Sequence, residues 1–258
     1  MGEAINQDRP AMIIRSDETQ DVEVPGNGTM RIHLFRPAIE GRFPGILLFS
    51  EIYQVTAPIR RLAAMLAGQG YVVAVPEVYH EYEPAGTVLA YDKPGTDRGN
   101  DLKFTKPVAA YDADATAGLT ALAAHPACNG HLGTFGVCLG GHLAYRAALD
   151  PRVGAAACFY ATDIHSGTLG EGRSDDSLAR MDELKAEAMF VWGRQDPHVP
   201  YAGREAIRAR LEAVGAFYEW HEVAGQHAFL RDEGPRYDPA LFLQAMNWTL
   251  ALYARALR

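Results

Sequence analysis

The chain has little cysteine, no long apolar run and no excess of positive charge, and each shortage removes a class of protein. Cys128, Cys138 and Cys158 are the only cysteines among 258 residues and show no CxxC spacing. A disulfide framework needs more of them at regular intervals, so reduced thiols in a cytoplasmic protein are expected. No segment approaches the roughly 20 apolar residues that span a bilayer. The opening stretch Met1–Pro10 is polar, unlike a signal or transit peptide, and Asn6 stands where a myristoylation signal carries Ser or Thr. Lysine and arginine total 24 against 32 aspartates and glutamates, a formal net charge of −8 with no basic cluster. That balance argues against a nucleic-acid partner. No GxGxxG or Walker pattern opens a helix, and the nine histidines show no HExxH spacing. Nucleotide and metal cofactors are therefore not expected.

What is present is an alternation of strand-like and helix-like segments. Ile46–Phe49 and Tyr71–Val75 are short continuous apolar runs, as expected of strands buried on both faces. Between them Thr56 and Pro58 open a helix whose apolar face is Ile59, Leu62, Ala63 and Leu66, closed by Gly68 and Gly70. Helices are predicted over residues 111–124, 140–149, 202–214 and 239–256, and strands over 132–137, 153–160, 188–192 and 217–223. Residues 21–36 alternate around Gly26-Asn27-Gly28 and predict an antiparallel hairpin at a sheet edge. The order predicts a single α/β domain over residues 1–258, with a doubly wound, mostly parallel sheet and helices on both faces. Residues 81–107 are rich in Pro and Gly without clear periodicity, and read as an irregular loop, a possible lid.

The stretch Gly136-Val137-Cys138-Leu139-Gly140-Gly141 ends an apolar run and opens a helical pattern. This is the strand–turn–helix elbow of hydrolytic nucleophiles, with cysteine where serine is usual. Cysteine is among the most buried residue types, and Cys128 and Cys158 read as inert core; the glycines around Cys138 set it apart. Asp196 and His227 each follow an apolar strand, which places them at the carboxyl edge of the sheet with Cys138. The order nucleophile, acid, histidine is that of α/β-hydrolases. His227 is the expected base, and Asp196 the group that orients it. His198 shares a turn with Asp196 and His221 lies within a strand, so both are poorer bases. The amides of Leu139 and Ile52 are the expected oxyanion hole. Glu51 ends a buried strand beside that loop, and is expected to contact Cys138 and tune when the thiolate forms.

With these residues in hand, the chain resembles the dienelactone hydrolase family. The matching motifs are Ser50-Glu51-Ile52, Tyr71 to Pro76 followed by Glu77-Val78-Tyr79, Phe135 to Gly141, Gly193 to Pro200, and Gly225 to Arg231. The resemblance implies an α/β-hydrolase fold, a Cys138–Asp196–His227 triad, a Glu51 that touches the thiol, and hydrolysis of an ester or enol-lactone through an acyl-enzyme. It implies no organic or metal cofactor, and a small-molecule ester or lactone as the partner. A thioesterase or acyl-thiol transferase could use the same site, and a non-catalytic binding protein could keep the fold. Family members acting on dienelactone hold its carboxylate with two arginines, one matched by Arg231. The other lies two residues after the tyrosine matched by Tyr79, where this chain has Glu81. The reversed charge predicts repulsion of an anionic substrate unless Arg98, Lys103 and Lys106 compensate. Tyr53, Tyr79 and Tyr160 are candidate pocket walls.

Overall fold

A computed structural model describes residues 13–258. The N-terminal stretch read above for targeting signals lies outside the described residues. Eight strands form one sheet in the order β1-β2-β4-β3-β5-β6-β7-β8. Strands β1 (Ile14–Val24) and β2 (Gly28–Pro37) are the predicted hairpin, longer than expected. Its added length is hidden in sequence because the outer face of β1 is charged, with Arg31–Asp21 and Arg36–Glu18 pairing across the ladder. The turn is closed by the Asn27 amide donating to the Val24 carbonyl, with Gly26 and Gly28 at positive φ. β2 runs antiparallel to β4 (Val72–Pro76), and the remaining pairs are parallel: β4 with β3 (Phe43–Phe49), β3 with β5 (Cys128–Val137), then β6 (Val153–Phe159), β7 (Glu187–Gly193) and β8 (Tyr218–Val223).

The helices are α1 (Ala57–Gly68), α2 (Lys93–Thr105), α3 (Val108–Ala124), α4 (Leu139–Ala147), α5 (Tyr201–Val214) and α6 (Pro239–Ala256). Helix α1 buries Ile59, Leu62, Ala63 and Leu66, the face its spacing predicted. Thr56 stands at its N-cap without capping it; the hydroxyl pairs instead with Tyr91 at 2.8 Å. Two buried apolar clusters lie on the two sides of the sheet, one built around Leu47, Tyr145 and Trp192, the other around Leu48, Phe135 and Tyr253. Alternate residues of β3 thus point to opposite cores, which explains why its sequence is apolar without a break.

Residues 81–107 are not an irregular loop throughout, since α2 occupies Lys93–Thr105. Its composition hides it: only Leu102 and a few others are buried, and it carries two glycines. Asp92 caps it by accepting from the Gly95 amide at 2.8 Å, and Pro94 lies in its first turn. The glycines that look like breakers are points of close approach. A Cβ on Gly95 would sit 2.1 Å from the Ala90 carbonyl oxygen, and one on Gly99 would sit 2.5 Å from that of Ile52. Helix α2 therefore packs directly on the Ile52 turn. No described helix is long and apolar enough to cross a membrane.

Candidate active site

Cys138 sits at the end of β5 with φ 60° and ψ −123°, a conformation an L-residue holds only under constraint. The constraint comes from glycines. A Cβ on Gly136 would lie 1.8 Å from the Gly140 carbonyl oxygen, and one on Gly140 would lie 2.1 Å from that of Phe49. Backbone thus meets backbone on both sides of the turn, and the thiol is raised at the start of α4, where the helix dipole favours a negative charge. The amides of Leu139 and Ile52 have no acceptor among the described residues. Two unused donors beside a thiol are what an oxyanion hole requires.

Asp196 and His227 are brought together by the ends of β7 and β8. Gly193 lets the strand ends touch, since a Cβ there would be 2.4 Å from the Gly225 carbonyl oxygen. Beyond the ladder, the Arg194 amide donates to the Val223 carbonyl and the Gln195 amide to that of Gly225. His227 Nδ1 then donates to Asp196 Oδ2 at 2.7 Å, while Asp196 Oδ1 accepts from the His198 amide at 2.8 Å. This leaves the other ring nitrogen for Cys138, which lines the same cavity. Burial opposes a charge on His227, but the Cys138 sulfur and the Asp196 carboxylate outweigh it and raise the pKa to about 10. The folded site thus favours the protonated imidazole at His227. His198 packs edge-on against His227 with ring centres 4.5 Å apart; burial, then the His227 charge, lowers its pKa.

Glu51 lies in the site but does not take the expected partner. Its Oε2 accepts from Tyr91 at 3.1 Å and is 3.7 Å from Arg231 Nη1, with no bond to Cys138. Burial raises its pKa, and Arg231 and His227 oppose that rise. The Arg231 guanidinium also lies 4.3 Å from the Tyr91 ring centre. Tyr91 and Arg231 hold the carboxylate, so the predicted contact with the thiol is absent from this state. Tyr91 carried no sequence signal, because it sits in a loop two residues before a helix that was itself hidden.

A cavity of about 250 Å³ opens between these groups, walled by Cys138, His227, Glu51, Arg231 and Tyr53 on one side. Thr96, Asn100 and Lys103 of α2 also line it, at the i, i+4, i+7 spacing of one helix face. Tyr53 is a pocket wall as predicted, its hydroxyl 2.8 Å from Thr96 Oγ1. Tyr79 and Tyr160 are not in the wall. Tyr79 is buried and donates to the Gly99 carbonyl at 3.2 Å, and Tyr160 packs edge-on behind His227 at 5.1 Å.

Glu81 is also outside the cavity. Both its oxygens accept from Lys106, at 2.5 and 2.6 Å, and Lys106 also donates to Asp114 at 2.7 Å. His80 completes the group through Asp114 at 2.9 Å. His80, Glu81 and Asp114 are metal-ligand types within 4.8 Å of one another, but the buried Lys106 ammonium already lies between the two carboxylates. The reversed charge at Glu81 is cancelled at its own position, which removes the predicted repulsion of an anion. Of the three compensating cations named above, Lys106 neutralises Glu81 and Lys103 reaches the cavity. Arg98 pairs with Glu83 and Asp101 at the surface.

The sequence pattern of the dienelactone hydrolase family matches residues 30–257. A Saccharomyces cerevisiae relative, provisionally named a carboxymethylenebutenolidase, is 43% identical, and the match covers 92% of this chain and 91% of the relative. The carboxymethylenebutenolidase of Pseudomonas sp. strain P51 is 29% identical over 92% of this chain and 95% of its own. Among solved structures, a provisionally named dienelactone hydrolase of Klebsiella pneumoniae superposes with a TM-score of 0.78 at 24% identity, covering 94% of this chain and 99% of that one. This chain belongs to the dienelactone hydrolase family and is a hydrolase of carboxylic esters with the α/β-hydrolase fold.

Proposed function

We propose that the protein opens an ester or enol-lactone through an acyl-thioester on Cys138. The observation that carries this reading is the Asp196–His227 bond in the cavity lined by a thiol held at a strained turn. The Cys138 sulfur attacks the acyl carbon, and the carbonyl oxygen takes the negative charge between the Ile52 and Leu139 amides. As the acyl carbon–oxygen bond breaks, the leaving oxygen takes the proton of the His227 imidazolium. Neutral His227 then removes a proton from water, whose oxygen adds to the thioester. The carbon–sulfur bond breaks, the acid leaves, and the thiolate–imidazolium pair returns. Asp196 keeps the ring in the tautomer that serves both steps. Glu51 acts on this pair through charge, from its place beside Arg231, rather than by contact with sulfur. No cofactor takes part.

Relatives named carboxymethylenebutenolidases support a lactone as the substrate. Iodoacetamide should label Cys138 stoichiometrically and abolish hydrolysis of 4-nitrophenyl acetate and of enol-lactones. Activity that survives full labelling would overturn the reading, and turnover confined to thioesters would replace it with a thioesterase.

A further inference from the structure

The Ile52 amide lies on a turn whose two ends are fixed by different means. Glu51 to Gln54 form a β-turn, closed by the Gln54 amide donating to the Glu51 carbonyl at 3.4 Å. Such a turn makes no use of the amide of its second residue, here Ile52. The entry end rests on the elbow: a Cβ on Gly140 would lie 2.1 Å from the Phe49 carbonyl oxygen and 2.5 Å from that of Ser50. Gly99 of α2 covers the middle, its missing Cβ leaving room for the Ile52 carbonyl. The exit end rests on Gln54.

Gln54 is 1% exposed and stands at φ 66°, backbone that suits glycine. A glutamine keeps that conformation only where its surroundings hold it. Its own side chain supplies much of the hold. Oε1 accepts from the Tyr79 amide at 3.3 Å, and Nε2 donates to the Thr87 carbonyl at 3.4 Å. On the main chain, its carbonyl accepts from the Thr56 amide at 2.9 Å, and the neighbouring Tyr53 carbonyl accepts from the Leu89 amide at 3.1 Å. One carboxamide thus joins the turn to both ends of the segment 79–87, in the wall opposite the elbow. Glycine would take the same φ without strain but would lose both side-chain bonds. Gln54 does not line the cavity, so any effect on the reaction passes through its neighbours.

We propose that Gln54 is a positioning residue for the reaction: its carboxamide ties the turn to residues 79–87 and so aims the Ile52 amide at the oxygen that becomes negative when Cys138 attacks. This rests on the hydrolytic reading above and adds the residue that pre-organises its oxyanion hole. Displacing a catalytic group by about 1 Å can cost about 100-fold in rate, so a tether this close to the donor has a measurable task.

The test sets an addition that builds an oxyanion against one that does not. 1,1,1-Trifluoropentan-2-one takes the Cys138 sulfur at its carbonyl carbon and leaves the charge on oxygen; iodoacetamide takes it at a methylene and releases iodide. Gln54→Gly accepts φ 66° and keeps the fold. It should lower kcat and kcat/KM on 4-nitrophenyl acetate alike, by about 10–100-fold, and weaken the ketone adduct by a similar factor. Alkylation by iodoacetamide should stay within about twofold of the wild type, since no donor is needed there. Gln54→Ala, which also lacks the tether, should behave in the same way. Values of kcat/KM and ketone affinity within about twofold of the wild type in both variants would overturn the proposal. An equal loss of alkylation would also overturn it, because the effect would then fall on the thiol or the fold. No ester turnover by the wild type would instead overturn the hydrolytic reading. The ketone then decides alone: an adduct weakened in both variants supports the role of Gln54, and one unchanged, or no adduct at all, refutes it.

Discussion

The two walls of the cavity are made by opposite means. The elbow wall, from β5 through Cys138 to α4, is fixed by backbone against backbone, with glycines at 136, 140 and 141 placed where any side chain would collide with a carbonyl. The facing wall, residues 77–107, is fixed by side-chain charge: Lys106 between Glu81 and Asp114, Lys103 on Asp163, Arg98 on Glu83 and Asp101. The first arrangement holds the nucleophile in one strained geometry and permits no variation. The second leaves the surface facing the cavity free to change so long as each charge keeps a partner, as Glu81 keeps Lys106. The candidate nucleophile Cys138 sits on the rigid wall.

Substitution on each wall separates these two kinds of order. Gly140→Ala forces a Cβ to 2.1 Å from the Phe49 carbonyl oxygen, backbone that cannot swing aside. A loss above about 4 kcal/mol in urea denaturation is expected, in the range reserved for forced core clashes. A loss below about 1 kcal/mol would mean the elbow is not backbone-locked. Lys106→Met leaves buried Asp114 and half-buried Glu81 side by side without the lysine. Breaking one partner of a buried pair costs about 3–5 kcal/mol, and adding Glu81→Gln and Asp114→Asn should restore most of it. Restoration by neither would show that Lys106 acts through packing, not charge.

A third effect concerns pH. The His227 pKa is raised from 6.5 to about 10, so the folded chain favours the imidazolium. Its stabilisation is full below about pH 6.5 and is lost as the pH rises through about 10. The thermal midpoint should fall across that window in the wild type, and fall less in His227→Asn. Equal slopes would remove the His227 imidazolium from the account.

These walls also differ in how far the amino-acid sequence reveals them. A backbone-locked turn needs particular residue types at particular spacings, so Gly136 to Gly141 declares both the elbow and its candidate nucleophile. Strand order then places Asp196 and His227 beside it, and their 2.7 Å bond is what that order implies. Ion pairs between distant residues leave no such trace. Lys106 meets Glu81 across 25 positions and Tyr91 meets Glu51 across 40, and either lysine or tyrosine would look the same on an open surface. Helix α2 was hidden for a related reason: its glycines serve packing on Ala90 and Ile52, and close packing in three dimensions reads as a break in one. Glu51 was legible as a residue of the site but not in its partner, which depends on where Tyr91 falls.

The claim on which the rest depends is that the Cys138 sulfur carries the acyl group. Rapid mixing with excess 4-nitrophenyl acetate, followed by acid quench and mass analysis of the intact chain and its peptides, tests it directly. The account predicts a burst of nitrophenol equal to the enzyme present and one acetyl group on the peptide containing Cys138, both absent in Cys138→Ala. An undiminished burst in Cys138→Ala, or acetyl found on another residue, would contradict it.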